Sequence, residues 1–150
     1  MRNVQPTTID SVELSDPDTH WPTRIWQRVI EQATQDLQLS PPVTATAEWL
    51  ALREAAEWFF TPNSDYEEVC TLADMDPDTM RRAARDVATP RVQYHKEKAE
   101  SCLARGNDPA TPPAKAKDYH KLNRLHRRAA SMLEELLDLG IHPIHVGSVN

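Results

Sequence analysis

Glycine is scarce in this chain of 150 residues, which has only Gly106, Gly140 and Gly147. All three lie in the last third, so the sequence has no glycine-rich loop of the kind that cradles phosphates in P-loop and dinucleotide-binding enzymes. No apolar run approaches the roughly 20 residues that a membrane-spanning helix needs. These absences exclude the commonest nucleotide-binding enzymes, and they predict a protein that is not inserted in a membrane.

Cysteine is scarce as well, and its pattern indicates a reducing, intracellular compartment. Cys70 and Cys102 are the two cysteines, without C-x-x-C spacing, and the first residues show no apolar signal region. We expect both thiols to be buried as small hydrophobic side chains. The sequence also offers no paired carboxylates and no activated nucleophile, so we expect no catalytic residues and no cofactor.

Two patterns that could hold a metal are incomplete. His142 and His145 have no Cys, Asp or Glu nearby to complete a tetrahedral zinc site, and a solvent-exposed tail is the alternative. Asp74, Asp76 and Asp78 alternate like the start of a calcium loop, but the glycine that such a loop requires is missing. We therefore expect no metal.

The net charge of −6 hides a division along the chain. Residues 1–78 hold 4 Lys/Arg against 15 Asp/Glu, residues 79–131 hold 13 against 5, and residues 132–150 hold none against 3. The three blocks therefore carry formal charges of −11, +8 and −3. Because a surface field depends on where charges cluster, the positive block leaves a nucleic acid or an acidic protein open as a partner. Pairing of this block with the acidic half, within the chain or across an oligomer, is the alternative.

Hydrophobic spacing predicts an all-α fold without strands. The predicted helices span about 22–38, 44–60, 64–73, 77–87, 91–105 and 115–139. The chain divides into a loose acidic arm at 1–20, a helical domain at 21–90, a helical hairpin at 91–139 with a stiff proline-rich linker at 107–114, and a tail at 140–150. Seven of the nine aromatic residues lie between 21 and 66, so we expect the acidic half to build the core.

Local signals predict where these helices begin and end. Ser64 begins a capping-box pattern, and Asp76 is expected to cap a helix that Pro77 opens. The dipeptide Thr89-Pro90 is expected to end that helix. Two glycines are expected to end helices. Gly106 is the expected C-cap of the helix at 91–105, and Gly140 is expected to end the last helix.

Residues 65–87 resemble a helix-turn-helix. The stretch from Leu72 to Ala83 reads Leu-Ala-x-hydrophobic-x-Pro-x-Thr-hydrophobic-x-Arg-Ala. It is similar to the part of bacterial and phage repressors and regulators in which the second helix enters the major groove. Those families commonly have glycine where this chain has Asp74, and the turn here is acidic. Its carboxylates would repel phosphates, or would cap the helix and pair with its arginines, which would leave a structural helix pair.

The resemblance implies DNA contact by the outer face of the second helix, backed by the basic residues that follow. Arginine can pair with guanine or grip phosphates, and a threonine near the helix start can meet a backbone oxygen. The predicted DNA-binding residues are Asp78, Thr79, Arg81, Arg82, Arg85, Arg91, Lys96 and Lys98. The excess of basic over acidic residues continues along the chain at Arg105, Lys115, Lys117, Lys121, Arg124, Arg127 and Arg128. A solvated helical face is the alternative interpretation of these residues. His95, His120 and His126 are expected as extra hydrogen-bond donors or as surface.

The last helix carries a heptad seam, which we define as Leu122, Leu125, Ala129, Met132, Leu136 and Leu139. The intervals of 3, 4, 3, 4 and 3 are those of a coiled-coil a/d face. The seam predicts packing on residues 91–105 as an antiparallel hairpin, or oligomerisation through a second chain.

This arrangement resembles two groups of small bacterial and phage proteins. One is regulators, and the other is the small terminase subunits of tailed phages, in which a DNA-binding head sits on helical oligomerisation elements and marks viral DNA for packaging. The resemblance implies a non-enzymatic protein that binds double-stranded DNA as a homo-oligomer in the cytoplasm of a bacterial host cell. The alternative is a protein-interaction module that docks on host machinery without contacting nucleic acid.

Overall fold

The chain is all-α throughout the part that the structure describes, which confirms the predicted class. A computed structural model describes the backbone of residues 21–149 and the side chains of residues 22–138. The helices are α1 (Trp21–Asp36), α2 (Thr46–Phe60), α3 (Ser64–Leu72), α4 (Pro77–Asn107) and α5 (Pro113–Val149), and this range contains no strand. The predicted acidic arm, residues 1–20, lies outside the described residues. Among the helices described, none combines the length and the apolar character that spanning a bilayer would require.

The core forms where the short helices α1 to α3 meet the two long helices. Phe59, Phe60 and Tyr66 are fully buried, as expected for an aromatic core built by the acidic half. Leu133 and Leu137 of α5 belong to the same cluster. The rings of Phe59 and Tyr66 meet edge to face with centroids 5.7 Å apart, a geometry that adds to the stabilisation from burial. This contact fixes α3 against the end of α2.

Helices α4 and α5 pair as an antiparallel hairpin, which is one of the two arrangements that the heptad seam predicts. The Ala99 carbonyl accepts a hydrogen bond from Asn123 Nδ2 at 2.7 Å. Further along α4, Gly106 packs against His120, which lies earlier on α5. The order of contacts is therefore reversed between the two helices, which are joined by the short turn at residues 108–112.

The helix end predicted at Pro90 is wrong, because α4 continues unbroken through it. Proline has no backbone N–H and therefore removes one hydrogen bond from a helix interior. Pro90 itself is exposed, while Ala88 on one side is buried and Val92 on the other packs against the core. Packing on both sides of the proline holds the helix together despite the missing bond.

Two glycines predicted to end helices lie inside them. Asp108, rather than Gly106, is the C-cap of α4. A Cβ atom at position 106 would stand 2.8–3.0 Å from the ring atoms of His120, so glycine here permits the close approach of α4 and α5. Gly140 does not end α5, whose backbone stays helical to Val149, so the predicted non-helical tail is also wrong.

Of the two predicted N-caps, that of α3 is wrong and that of α4 is confirmed. Asn63, not Ser64, caps α3, and its side-chain oxygen accepts a hydrogen bond from the backbone N–H of Tyr66 at 2.6 Å. Asp76 caps α4 as predicted, because its carboxylate accepts from the backbone N–H of Thr79 at 2.8 Å. That hydrogen bond lowers the pKa of the Asp76 carboxyl.

Candidate nucleic-acid interface

The turn between α3 and α4 has a tight and regular backbone geometry. Asp74 has φ +57°, and it is the one non-glycine residue in the described range with positive φ. Its N–H donates to the Thr71 carbonyl at 3.0 Å, and the Met75 N–H donates to the Cys70 carbonyl at 2.9 Å. These are the two hydrogen bonds of a Schellman motif, in which the position of Asp74 favours glycine and accepts Asp or Asn. Asp74 therefore adopts the conformation that glycine supplies in helix-turn-helix families.

Buried contacts hold the two helices around this turn. Ala73 is fully buried, and the hydroxyl of Tyr66 donates to the Pro77 carbonyl at 2.6 Å. Burial raises the pKa of this phenol, so it stays protonated and able to donate. Burial also raises the pKa of the Cys70 and Cys102 thiols, which are free and buried as predicted. The buried Ala73 and the hydrogen bond from Tyr66 to Pro77 thus hold the α3–α4 turn in place.

Arg81, a predicted DNA contact, is turned toward the fold. Its Nε donates to the Phe59 carbonyl at 2.7 Å, at the end of α2. The guanidinium lies 4.6 Å from the centroid of the Tyr66 ring, and Nη1 is 3.7 Å from Asp78. The side chain is 15% exposed. Arg81 therefore fastens α4 to α2 and α3.

Arg85 and Arg91 are likewise partly buried. Arg85 Nη1 is buried and has no hydrogen-bond partner among the described residues. Arg91 Nη2 donates to the carbonyls of Gln38 and Leu39 at 3.0 and 3.3 Å, and its guanidinium lies 3.9 Å from the Tyr94 ring centroid. Arg91 holds the segment that follows α1.

The exposed face of the first turns of α4 carries mixed charge. Asp78, Thr79, Arg82 and Asp86 face solvent there. The Thr79 hydroxyl donates to the Asp76 carboxylate at 2.9 Å and accepts a longer hydrogen bond, of 3.4 Å, from Arg82 Nη2. One arginine beside two carboxylates does not make this face positive.

The last two predicted DNA contacts lie on the hairpin. Lys96 Nζ is 2.9 Å from a carboxylate oxygen of Glu134, so it forms an ion pair that joins α4 to α5. Lys98 is exposed, and its Nζ lies 5.8 Å from the Tyr94 ring centroid. Of the eight predicted DNA-binding residues, the structure leaves Asp78, Thr79, Arg82, Lys96 and Lys98 on the surface.

A positive surface lies instead on α5, and we call it the basic stripe. Its members are Lys117, Lys121, Arg124 and Arg128. Their intervals of 4, 3 and 4 put them on one helix face, and all four are exposed. Within the described range, none of them forms an ion pair. The sequence already indicated these four residues within the basic bias that backs α4, but the predicted site residues lie on α4. The spacing of 4, 3 and 4 is the signal that could have singled out the stripe.

An open trough of about 820 Å³ runs between α2 and α5, next to the basic stripe. We call it the arginine-rimmed trough. Its apolar lining comes from Trp49, Leu50, Leu52, Leu125, Ala129 and Met132, and its charged lining comes from Arg53, Arg124, Arg127, Arg128 and Glu135. Apolar and cationic groups thus share one concave surface.

The heptad seam serves the fold and the trough together. Leu122, Leu125 and Met132 are half-buried, Ala129 and Leu136 are buried, and the side chain of Leu139 lies outside the described residues. Leu136 packs in the core, whereas Leu125, Ala129 and Met132 line the trough. The described part of the seam therefore lies partly in the core and partly along the trough.

His95 and His126 form a buried pair inside the hairpin. Their Nδ1 atoms are 2.8 Å apart, so one ring donates and the other accepts. Burial, together with a smaller effect of nearby positive groups that include Arg91, lowers the pKa of His95 to about 3 and that of His126 to about 4. Both rings are therefore neutral at pH 7. The sequence did not reveal this pair, since 31 residues separate its members.

Within the described part of the chain, no three His, Cys, Asp or Glu side chains come together as a metal site. Comparison of the chain with protein families, with characterised proteins and with solved structures finds no match.

Proposed function

We propose that this protein is a non-enzymatic, double-stranded DNA-binding protein of bacterial or phage type, and that the basic stripe on α5 grips the phosphate backbone. The observation that carries the proposal is the stripe itself, with four exposed cationic side chains on one face and no ion pair among the described residues. Cations that have no carboxylate partner are available to replace the counterions of DNA.

The dimensions of the stripe suit a duplex. Lys117 and Arg128 are 11 residues apart, so the stripe is about 16 Å long at the rise of an α-helix. That length corresponds to about five base pairs at roughly 3.4 Å per pair. Contacts of this kind position a protein on DNA without reading its sequence.

The α3–α4 unit has a smaller part in this proposal than the resemblance implies. The backbone at Asp74 supports a helix-turn-helix, but Arg81 and Arg91 hold the fold. In the first turns of α4, Arg82 and Thr79 are then the groups that can reach a phosphate, and Lys96 and Lys98 remain exposed further along the helix. Gene regulation and DNA packaging, the two roles that the resemblance implies, would both use this combined surface.

The test is the salt dependence of duplex binding by the full chain, measured by fluorescence anisotropy with a labelled 30-base-pair duplex between 50 and 200 mM salt. Each phosphate contact contributes roughly 0.9 to the slope of log K against log salt. We expect Lys121→Gln to lower that slope by about 0.9, and replacement of all four stripe residues by Gln to abolish binding.

Arg28→Gln is the matched control, because Arg28 is an exposed cation on α1, away from the stripe. It should leave the slope unchanged. Equal slopes for Lys121→Gln and Arg28→Gln, or no duplex binding by the wild-type chain at 50 mM salt, would contradict the proposal.

A second candidate function is a protein-interaction module. The observation that favours it is the apolar lining of the arginine-rimmed trough, which phosphate binding does not require.

A further inference from the structure

The arginine-rimmed trough has an apolar floor that the DNA proposal leaves without a role. We propose that this trough binds an acidic amphipathic helix of a protein partner. The inference goes beyond DNA binding and does not depend on it.

The floor of the trough offers apolar surface to a partner. Leu50 is 42% exposed, although it lies on the helix that supplies much of the core. Trp49, Leu125 and Met132 are half-buried around it. Continuous apolar surface with a polar rim is typical of a protein-interaction site, and a row of such side chains suits the apolar face of a helix.

The shape of the trough favours a helix over a small molecule. The volume of about 820 Å³ is open to solvent and lies along two helices, α2 and α5. Small-molecule pockets bury 70–90% of their ligand, which an open trough cannot do. A helix about 10 Å wide can bury one face along the trough and keep its other face in water.

The charge of the rim selects an acidic partner. Four arginines line the trough against the single carboxylate of Glu135. Guanidinium groups form paired hydrogen bonds with carboxylates, so Asp and Glu beside the apolar face of a partner helix would be held. A second copy docked by two-fold symmetry would bring this rim against itself, arginine against arginine. Charge complementarity therefore points to a different, acidic chain.

The trough and the basic stripe share two residues and differ in the others. Arg124 and Arg128 belong to both surfaces. Arg53 and Leu50 belong to the trough alone, and Lys117 and Lys121 belong to the stripe alone. An acidic helix in the trough would therefore compete with DNA, and variants at the unshared residues separate the two kinds of binding.

The probe is a fluorescein-labelled, 18-residue helical peptide with leucine at positions i, i+3, i+4 and i+7 and glutamate beside this face. A peptide with lysine in place of each glutamate is its control. With the full chain we expect the glutamate peptide to bind and the lysine peptide to bind at least tenfold more weakly. Leu50→Ser should weaken binding of the glutamate peptide at least tenfold, and Arg53→Gln about threefold.

The matched control is Lys117→Gln with Lys121→Gln, which should bind the glutamate peptide within twofold of wild type. Excess peptide should displace duplex from the wild-type chain. If the chain proves not to bind duplex but the peptide results hold, the DNA proposal fails and the trough proposal stands.

Three results would overturn the trough proposal. In the first, Leu50→Ser and Arg53→Gln bind the peptide as well as wild type does. In the second, both variants weaken duplex binding as much as peptide binding, which would make the trough part of a DNA surface. In the third, light scattering finds a dimer that Leu50→Ser dissociates, which would make the occupant a second copy.

Discussion

Arg81 and Arg82 are neighbours in sequence but have different environments. Successive residues of an α-helix point about 100° apart, so one of the two can face the core while the other faces solvent. Arg81 contacts the Phe59 carbonyl and the Tyr66 ring, whereas Arg82 is exposed. Their roles differ accordingly, with one stabilising the fold and the other available to a ligand.

We predict that Arg81→Ala lowers the free energy of unfolding by about 2 kcal/mol, since it removes a charged hydrogen bond and a cation–π contact. Arg82→Ala should change it by less than about 0.5 kcal/mol, as is usual for an exposed residue. Urea unfolding followed by circular dichroism measures both. An Arg81→Ala variant that is as stable as wild type but binds DNA more weakly would contradict this role and would make Arg81 part of the DNA interface.

The inward direction of Arg81 could not be predicted from the sequence. Its main partner, the carbonyl of Phe59, lies 22 residues away, and a long arginine side chain reaches it only once α2 and α4 are packed. The stripe residue Lys121 differs because helical spacing alone places it beside Lys117. At this scale, regular exposed patterns are predictable, and side chains recruited by tertiary contacts are not.

The ends of the helices also fall into two groups, those specified by local contacts, which were predictable, and those specified by tertiary contacts, which were not. Asp76 and Pro77 specify the start of α4 through contacts within one turn, so this start was predictable. Pro90 lies inside α4, and the reason is core packing by Ala88 and Val92, which the local sequence does not contain. Gly106 is explained by His120, on another helix. The all-α class and each helical region followed from hydrophobic spacing, but these boundaries depended on the assembled fold.

The α3–α4 turn gives a prediction at the scale of elements. Asp74 has positive φ. This backbone conformation costs an alanine about 1 kcal/mol, whereas it has no steric cost for a glycine. We expect Asp74→Ala to unfold about 1 kcal/mol more easily than wild type and Asp74→Gly to stay within about 0.5 kcal/mol. Thermal or urea unfolding of the two variants side by side measures the difference. Equal stability of the alanine and glycine variants would show that this turn does not need a left-handed residue.

Across the whole molecule, the acidic half does not neutralise the basic block by ion pairing within the described residues. One ion pair joins the two blocks there, between Arg81 and Asp78. Lys96 pairs with Glu134, in the last block. Ion pairs among the described residues therefore leave most of the positive block unneutralised, including the basic stripe on α5.

The buried pair of His95 and His126 makes the stability of the whole fold depend on pH. In the unfolded chain each ring gains a proton below about pH 6.5, whereas burial delays this to about pH 4 and pH 3 in the fold. Between these values the unfolded state binds more protons. Stability is thus fully present above pH 6.5 and is lost as the pH falls toward 4.

We predict that the free energy of unfolding decreases by on the order of 2 kcal/mol for each of the two rings between pH 7 and pH 5. Urea unfolding at pH 7, 6 and 5 measures this decrease. His126→Gln should be less stable at pH 7 but should lose less on acidification, because one titrating ring is gone. His120→Gln removes a histidine outside the pair and serves as the control. An identical pH dependence for wild type and His126→Gln would contradict this origin.

The unbroken passage of α4 through Pro90 has a mechanical consequence. Its 31 residues make one rod about 46 Å long that begins at the α3–α4 turn and ends at the tip of the hairpin. The backbone has no joint at which the turn could swing independently of the surface on α5. The α3–α4 turn and the basic stripe on α5 are therefore held at a constant distance from each other, and so are the parts of any ligand that both of them contact.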